Sequence, residues 1–299
     1  MRSVIDFHVH PIRPVSSEEG LLDEMNLASV TRAVLLAIDV DPMDLERKEV
    51  RQMVLQRLLE SYVSDAVGVV SAMRGLAKVA RVTNEAVASM VRRHPDRFTG
   101  FGSVDICKGK RYVEEKLREI RDLGLPGVKL IPTMQFFDPS SSKDVGWVWR
   151  FCEKEDMIIT HHTGCDPGPW EIPALSADAN PRRLEPLLRK HGARVIVAHM
   201  GSYSVRNPGI WLEEALALGR FPSVWMDVAA VAHLLRDGAV VERIRETVGI
   251  DRVLFGSDYP AVLGADIKTM VKTIDESPHL TDVEKEQVLC SNAAELLEL

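Results

Sequence analysis

Cysteine is scarce in this chain. The 299 residues hold four, Cys107, Cys152, Cys165 and Cys290, widely separated and without a Cys-x-x-Cys pair. That pattern argues against a disulfide-stapled scaffold or a cysteine-framed zinc site and suits reduced thiols in a cytoplasmic protein. Long apolar runs are also missing. Stretches such as Ala33-Val34-Leu35-Leu36-Ala37-Ile38 fall far short of the ~20 residues a membrane helix requires. The N-terminus sets Asp6, His8 and His10 where a signal peptide would carry its apolar segment, which again points to the cytoplasm. Positive charge is outweighed, with a net charge of -7 and lysines and arginines never more than two in a row, so no basic stripe awaits a nucleic acid. Local basic sites still suit a small, anionic metabolite as partner, and a homo-oligomer is compatible with the same composition. Repeats, low-complexity tracts and proline-rich linkers are lacking too, so residues 1–299 read as a single domain.

What the chain does have is a series of short β-branched and apolar stretches. They run Ser3–His10, Arg32–Asp39, Phe98–Asp105, Gly127–Pro132, Met157–His162, Arg194–His199, Val224–Val228 and Arg252–Asp258. Most are followed by a segment of helical periodicity, and successive starts lie roughly 30 residues apart, the size of one βαβ unit. Eight such units predict an α/β fold, a (β/α)8 TIM barrel. One interval is about twice as long, which predicts a helical insertion after strand 2, over roughly 41–82. Within it Val50, Met53, Val54, Leu58 and Leu59 form an apolar stripe along Asp44–Val63. Rim packing, a lid and a subunit contact are all compatible with that stripe. Helix ends are signalled by Asn180-Pro181, with Leu184, Leu187 and Leu188 on one face, and by the capping box Thr281-x-x-Glu284.

The chemistry gathers at the strand ends. His8 and His10 sit at i and i+2, so they project from one face of strand 1, and Pro11 ends that strand. His161-His162-Thr163-Gly164, His199-Met200-Gly201 and Gly256-Ser257-Asp258-Tyr259-Pro260 close strands 5, 6 and 8. In a parallel barrel these C-terminal ends form the active-site rim. A carboxylate there is costly unless something compensates it, and a cation would. Packing is a poor explanation for five metal-type residues on one rim.

These motifs resemble the amidohydrolase superfamily. His94-Pro95-Asp96-Arg97-Phe98, Gly102-Ser103-Val104-Asp105 and the closing Asn292-Ala293-Ala294-Glu295-Leu296 are similar to its amidohydrolase-related branch, which includes aminocarboxymuconate-semialdehyde decarboxylase. The resemblance implies that His8, His10, the strand-5 histidine and Asp258 hold one divalent metal. It places His199 beside the water or substrate. Parity favours His162 over His161, because Ile158, Thr160 and His162 share a strand face and Thr163-Gly164 follows as in the branch motif. Three imidazoles and a carboxylate with an open position suit zinc, with manganese(II) or iron(II) as alternatives.

The expected activity is hydrolysis of a C–N or C–O bond by a metal-activated water. Asp258 would shuttle the proton and His199 would hold the developing oxyanion. Non-oxidative decarboxylation of a conjugated or aromatic acid uses the same ligands and is the alternative. An inactive binding barrel is disfavoured, since a scaffold would be free to lose any ligand. Lys129 on strand 4 reads as a lysine hydrogen-bonded within the barrel or touching a substrate carboxylate, rather than a carboxylated bridge between two metals. Arg13 and Arg206 are candidate anion binders by position, and Trp170 and Tyr203 candidate walls for a planar substrate.

Overall fold

The apolar stretches form eight parallel strands: β1 (Val4–Val9), β2 (Val30–Leu36), β3 (Phe98–Ser103), β4 (Gly127–Leu130), β5 (Ile158–His161), β6 (Val195–Val197), β7 (Val224–Asp227) and β8 (Val253–Leu254). A computed structural model describes residues 3–12, 16–166, 168–262 and 266–299. Each strand pairs with its neighbour in chain order. The ring closes through β1 and the segment after β8, where Phe7 N donates to Phe255 O at 2.9 Å, Asp258 N to His8 O at 2.8 Å, and His10 N to Tyr259 O at 2.8 Å. The architecture is a (β/α)8 barrel.

Alternation along the strands sorts side chains into two layers. Ile5, Phe7, Val34, Leu36, Phe101, Ile158, Ile196 and Leu254 fill the barrel interior, sealed by Ala293 and Leu296 of the C-terminal helix Asn292–Leu296. Residues of opposite parity, such as Ala33, Leu35, Ile159 and Val197, pack against the surrounding helices. Those helices include α1 (Glu18–Leu27), and their apolar faces follow the expected spacing. Thr281 and Glu284 make the capping box. The Asn180 segment differs from a continuous helix: a 3₁₀ turn over Pro181–Leu184 gives way to a short helix, Glu185–Leu188. Pro186 lacks the N–H that an α-helix would donate to Arg182, so the first turn tightens instead.

Between β2 and the helix that leads into β3, the chain adds a 3₁₀ turn (Pro42–Glu46), α2 (Lys48–Glu60) and α3 (Ala66–Ala80). Val50, Val54 and Leu58 of α2 are buried, four residues apart on one face. Leu59, a quarter-turn away, is exposed rather than part of the stripe. With Leu45, Met73, Trp170 and Leu175 these residues form a separate apolar cluster on the rim.

Candidate metal centre and active site

The hydrogen-bonded strands stop short of the functional side chains. β6 ends at Val197, and His199 follows in a 3₁₀ turn with φ 60°. β8 ends at Leu254, and Asp258 has φ 59°. Two non-glycine residues in the left-handed region, each carrying a site side chain, mark backbone conformations held by their surroundings. Alternation alone therefore could not aim them. β1 carries its own irregularity: Asp6 pairs with Ala33 and Val9 with Leu35, three steps against two. The extra residue is a bulge, and it lets Phe7 fill the interior while His8 still turns into the barrel mouth. Asp6 steadies that bulge by accepting from His8 N and Ser257 N.

Four imidazoles and the Asp258 carboxylate converge there. His8 Nε2 and His10 Nε2 lie 3.3 Å apart, and each is 3.6 Å from Asp258 Oδ1. One ligand atom each from His8, His199 and Asp258 falls within 4.8 Å of the others. The His162 ring centroid is 4.9 Å from that of His199. Thus the structure brings His8, His10, His162, His199 and Asp258 into one buried cluster. His161 faces the other way, its ring edge-on to Phe137 and its Nδ1 bonded to His162 O at 3.0 Å.

The partners of each ring decide its tautomer. His8 Nδ1 donates to Asp227 Oδ2 at 2.8 Å, because a carboxylate can only accept. His10 Nδ1 donates to Leu36 O, and His199 Nδ1 to Ala229 O. All three Nε2 atoms are then lone pairs turned toward one another and toward Asp258. Burial pushes His8, His10 and His162 well below the usual imidazole range and His199 down to about 3, so the rings are neutral. His162 Nε2 is buried and makes no hydrogen bond, with Asp166 Oδ1 3.3 Å away. Facing lone pairs, an orphaned ring nitrogen and a buried carboxylate are a donor set fit for a divalent cation. His8, His10, His162 and Asp258 would hold it, with His199 close enough to join them.

Lys129 lies at the centre, fully buried, its Nζ donating to His8 Nε2 at 3.0 Å. Burial lowers its ammonium to about 8 despite the nearby carboxylates. Arg206 is exposed; its backbone N is tied to Glu171 Oε1 at 3.0 Å, and its side chain does not line the cavity. The Arg13 expectation lies outside the described residues.

Two contributors escaped the sequence reading. Asp227 orients His8 and also accepts from His199 N at 2.8 Å; its only signal was a carboxylate ending a strand, as Asp258's was. Asp166 sits 3.3 Å from His162 Nε2 and is held by Thr133.

Above the cluster opens a cavity of about 340 Å³. Polar groups line its floor, whereas Ile12, Ile38, Ile131 and Met134 supply apolar walls. Leu76, Val79 and Ala80 of α3 complete them, so the insertion is a wall of the site. Trp170 and Tyr203 line the same space, Tyr203 with its ring 5.2 Å from His199.

Comparison with known proteins agrees with this architecture. The chain is 25% identical over 253 residues to 2-amino-3-carboxymuconate-6-semialdehyde decarboxylase of Dictyostelium discoideum, covering 74% of this chain and 67% of that protein. An uncharacterized TIM-barrel protein of Bordetella bronchiseptica superposes with a TM-score of 0.71 at 19% identity, over 99% of this chain and 98% of the other. The 5-carboxyvanillate decarboxylase of Novosphingobium aromaticivorans, solved with bound manganese, superposes at 0.61 with 14% identity, over 100% and 97%. The sequence pattern of the family described as Amidohydrolase matches residues 5–299, nearly end to end. The chain belongs to the amidohydrolase family.

Proposed function

We propose that the protein is a metal-dependent decarboxylase of a small organic acid with an apolar, conjugated body. The observation that carries this reading is the division of the cavity into a polar floor, with His10, Lys129, His162, His199 and Asp258, and aliphatic walls. A carboxylate seated at the floor is stripped of water by those walls. Loss of carbon dioxide disperses its concentrated charge over a conjugated system, a change that a low-dielectric enclosure favours. Hydrolysis of a polar linkage would need donors for the leaving group on the walls, where this cavity presents Ile38, Leu76 and Val79. The decarboxylase name of the Dictyostelium relative points the same way.

The roles follow from position. Lys129 Nζ meets the substrate's acidic group at the floor, and Trp170 and Tyr203 bound its planar body. A bound divalent ion, which we take to be zinc, supplies Lewis-acid polarisation of an oxygen next to the reacting carbon. Burial raises Asp258 well above the ordinary carboxyl range, although Lys129 opposes the shift. Asp258, 3.6 Å from both His8 Nε2 and His10 Nε2, would pass a proton from an active-site water to the carbon as the C–C bond breaks and carbon dioxide leaves. His199 Nε2, an acceptor, fixes a substrate hydroxyl or amine.

The test is product analysis with metal-replete protein on a panel of hydroxybenzoic and unsaturated amino acids. Carbon dioxide release, abolished in Asp258→Asn with the fold retained, supports the reading. Turnover confined to lactones, esters or amides, with water added and no carbon dioxide, overturns it and restores hydrolysis.

A further inference from the structure

A second cluster of ligand-type residues lies on the rim, apart from the site above. The 3₁₀ turn Pro42–Glu46, which opens the insertion, meets a second 3₁₀ turn, Ile106–Lys108, that follows β3. Asp44, Asp105 and Cys107 meet at this junction, each offering a ligand atom within 4.8 Å of the others. Asp105 is 1% exposed. Its Oδ1 accepts from Cys107 N at 3.1 Å, while its Oδ2 is buried without a hydrogen-bond partner. Asp39 is already committed, its Oδ2 accepting from Asp105 N at 2.9 Å and from Tyr112 at 2.8 Å.

The charges are unbalanced. Asp39, Asp41, Asp44 and Asp105 all act on one ammonium, Lys108, which is 3.3 Å from Asp41 and 3.8 Å from Asp105 Oδ2. Arg47 stands 3.7 Å from Asp44, and Arg81 acts on Asp41 from further off. Neither cation hydrogen-bonds the orphaned Oδ2. Burial, and then the adjoining Asp44, raise Asp105 to about 8, so Asp105 retains a proton where an ion could sit.

We propose that Asp44, Asp105 and Cys107 form a second, non-catalytic cation site that takes a borderline-soft divalent ion such as zinc or cobalt(II). Two carboxylates alone would suit a hard ion, and the thiol shifts the preference toward zinc-class metals. Binding replaces protons: those on the Cys107 thiol and on Asp105 are released as the ion enters. Arg47, which donates to Cys107 Sγ at 3.4 Å and to Cys107 O, would yield the sulfur to the ion; its side chain is 44% exposed. Cys107 is itself partly exposed, which gives the ion a path. The ion would clip the start of the insertion to the barrel, and so hold α3 in place as a wall of the active-site cavity.

Cobalt(II) titration of the metal-free, full-length protein tests this. Wild type should develop a thiolate-to-cobalt charge-transfer band in the near ultraviolet. Cys107→Ser should lose that band and bind one fewer cobalt per chain, with the spectrum of the histidine site unchanged. Asp105→Asn should also bind one fewer. Because the readout is a difference of one ion tied to sulfur, it is independent of whether the histidine cluster is catalytic. A band that survives in Cys107→Ser, or equal cobalt content in wild type and Cys107→Ser, overturns the proposal and leaves a protonated Asp105 beside Asp44.

Discussion

Replacing Asp227 by Asn changes one atom for another of similar size, yet the structure assigns it a large effect on metal binding. Three donors aim at this carboxylate: His8 Nδ1 and His199 N at 2.8 Å, and Ala229 N at 3.1 Å. An asparagine offers one acceptor oxygen. If that oxygen faces the two backbone donors, the amide NH₂ faces His8 Nδ1, which must then become an acceptor. The His8 proton moves to Nε2, the atom that should ligate. If the amide flips, NH₂ opposes two backbone N–H groups, leaving buried donors unsatisfied at ~1–3 kcal/mol. The first outcome, which leaves both backbone donors satisfied, should weaken metal affinity by about 10–100-fold, the usual effect of removing the partner that orients a ligand histidine. At ~1.4 kcal/mol per tenfold, that is about 1.4–2.8 kcal/mol. Competition against a chromogenic chelator measures it directly, with a thermal melt to verify folding. Affinity within twofold of wild type in a folded Asp227→Asn protein would refute the tautomer argument.

Further outcomes follow from the same geometry. His162→Ala should lose its metal, whereas His161→Ala should keep it and lose on the order of 2 kcal/mol from a cavity beside Phe137; elemental analysis with thermal melts decides, and the reverse pattern refutes the assignment. Gly256→Ala should displace His8, since a Cβ there would lie 2.7 Å from His8 Cβ and 3.0 Å from Ala229 Cβ. Its expected cost is ~1–3 kcal/mol with reduced metal content, and unchanged melting and metal content would contradict the close approach. Glu284 is held down to about 2, chiefly by hydrogen bonds from Arg245. A depressed carboxyl stabilises above its unfolded value of ~4.3 and loses that contribution as the pH falls toward 2. Glu284→Gln, which can keep the capping-box geometry, should therefore melt lower than wild type at pH 7, with the difference closing below pH 4. A constant difference across that range would show that charge is not the cause.

The barrel was legible in the sequence because its signal is repetitive: β-branched runs at βαβ spacing locate eight strands even though each is only two to seven residues long. Site residues at strand ends were legible for a related reason, since the C-terminal rim is where a parallel barrel presents its chemistry. Their aim was less so. His199 and Asp258 sit in left-handed backbone beyond the last ladder hydrogen bond, and His8 depends on a bulge that period-two reasoning does not contain. Asp227 shows another limit: its role is to orient a histidine 219 positions away, a pairing that only the closed ring creates. The anion-binding expectation for Arg206 rested on loop position, and Glu171 holds that loop so that the residue faces outward.

The sealed floor of the barrel has a kinetic consequence. Phe7, Phe101 and Leu254, backed by Ala293 and Leu296, close the end opposite the mouth, so among the described residues an ion and a substrate would both reach the cluster from the mouth side. A substrate seated in the cavity above the cluster would then lie over the ion and hinder its exit. A substrate analogue held between the aliphatic walls should slow extraction of the metal by chelators in proportion to its occupancy. Conversely, a chelator carrying an apolar body should strip the ion faster than a polar one of equal affinity, because it is the shape the mouth already accepts.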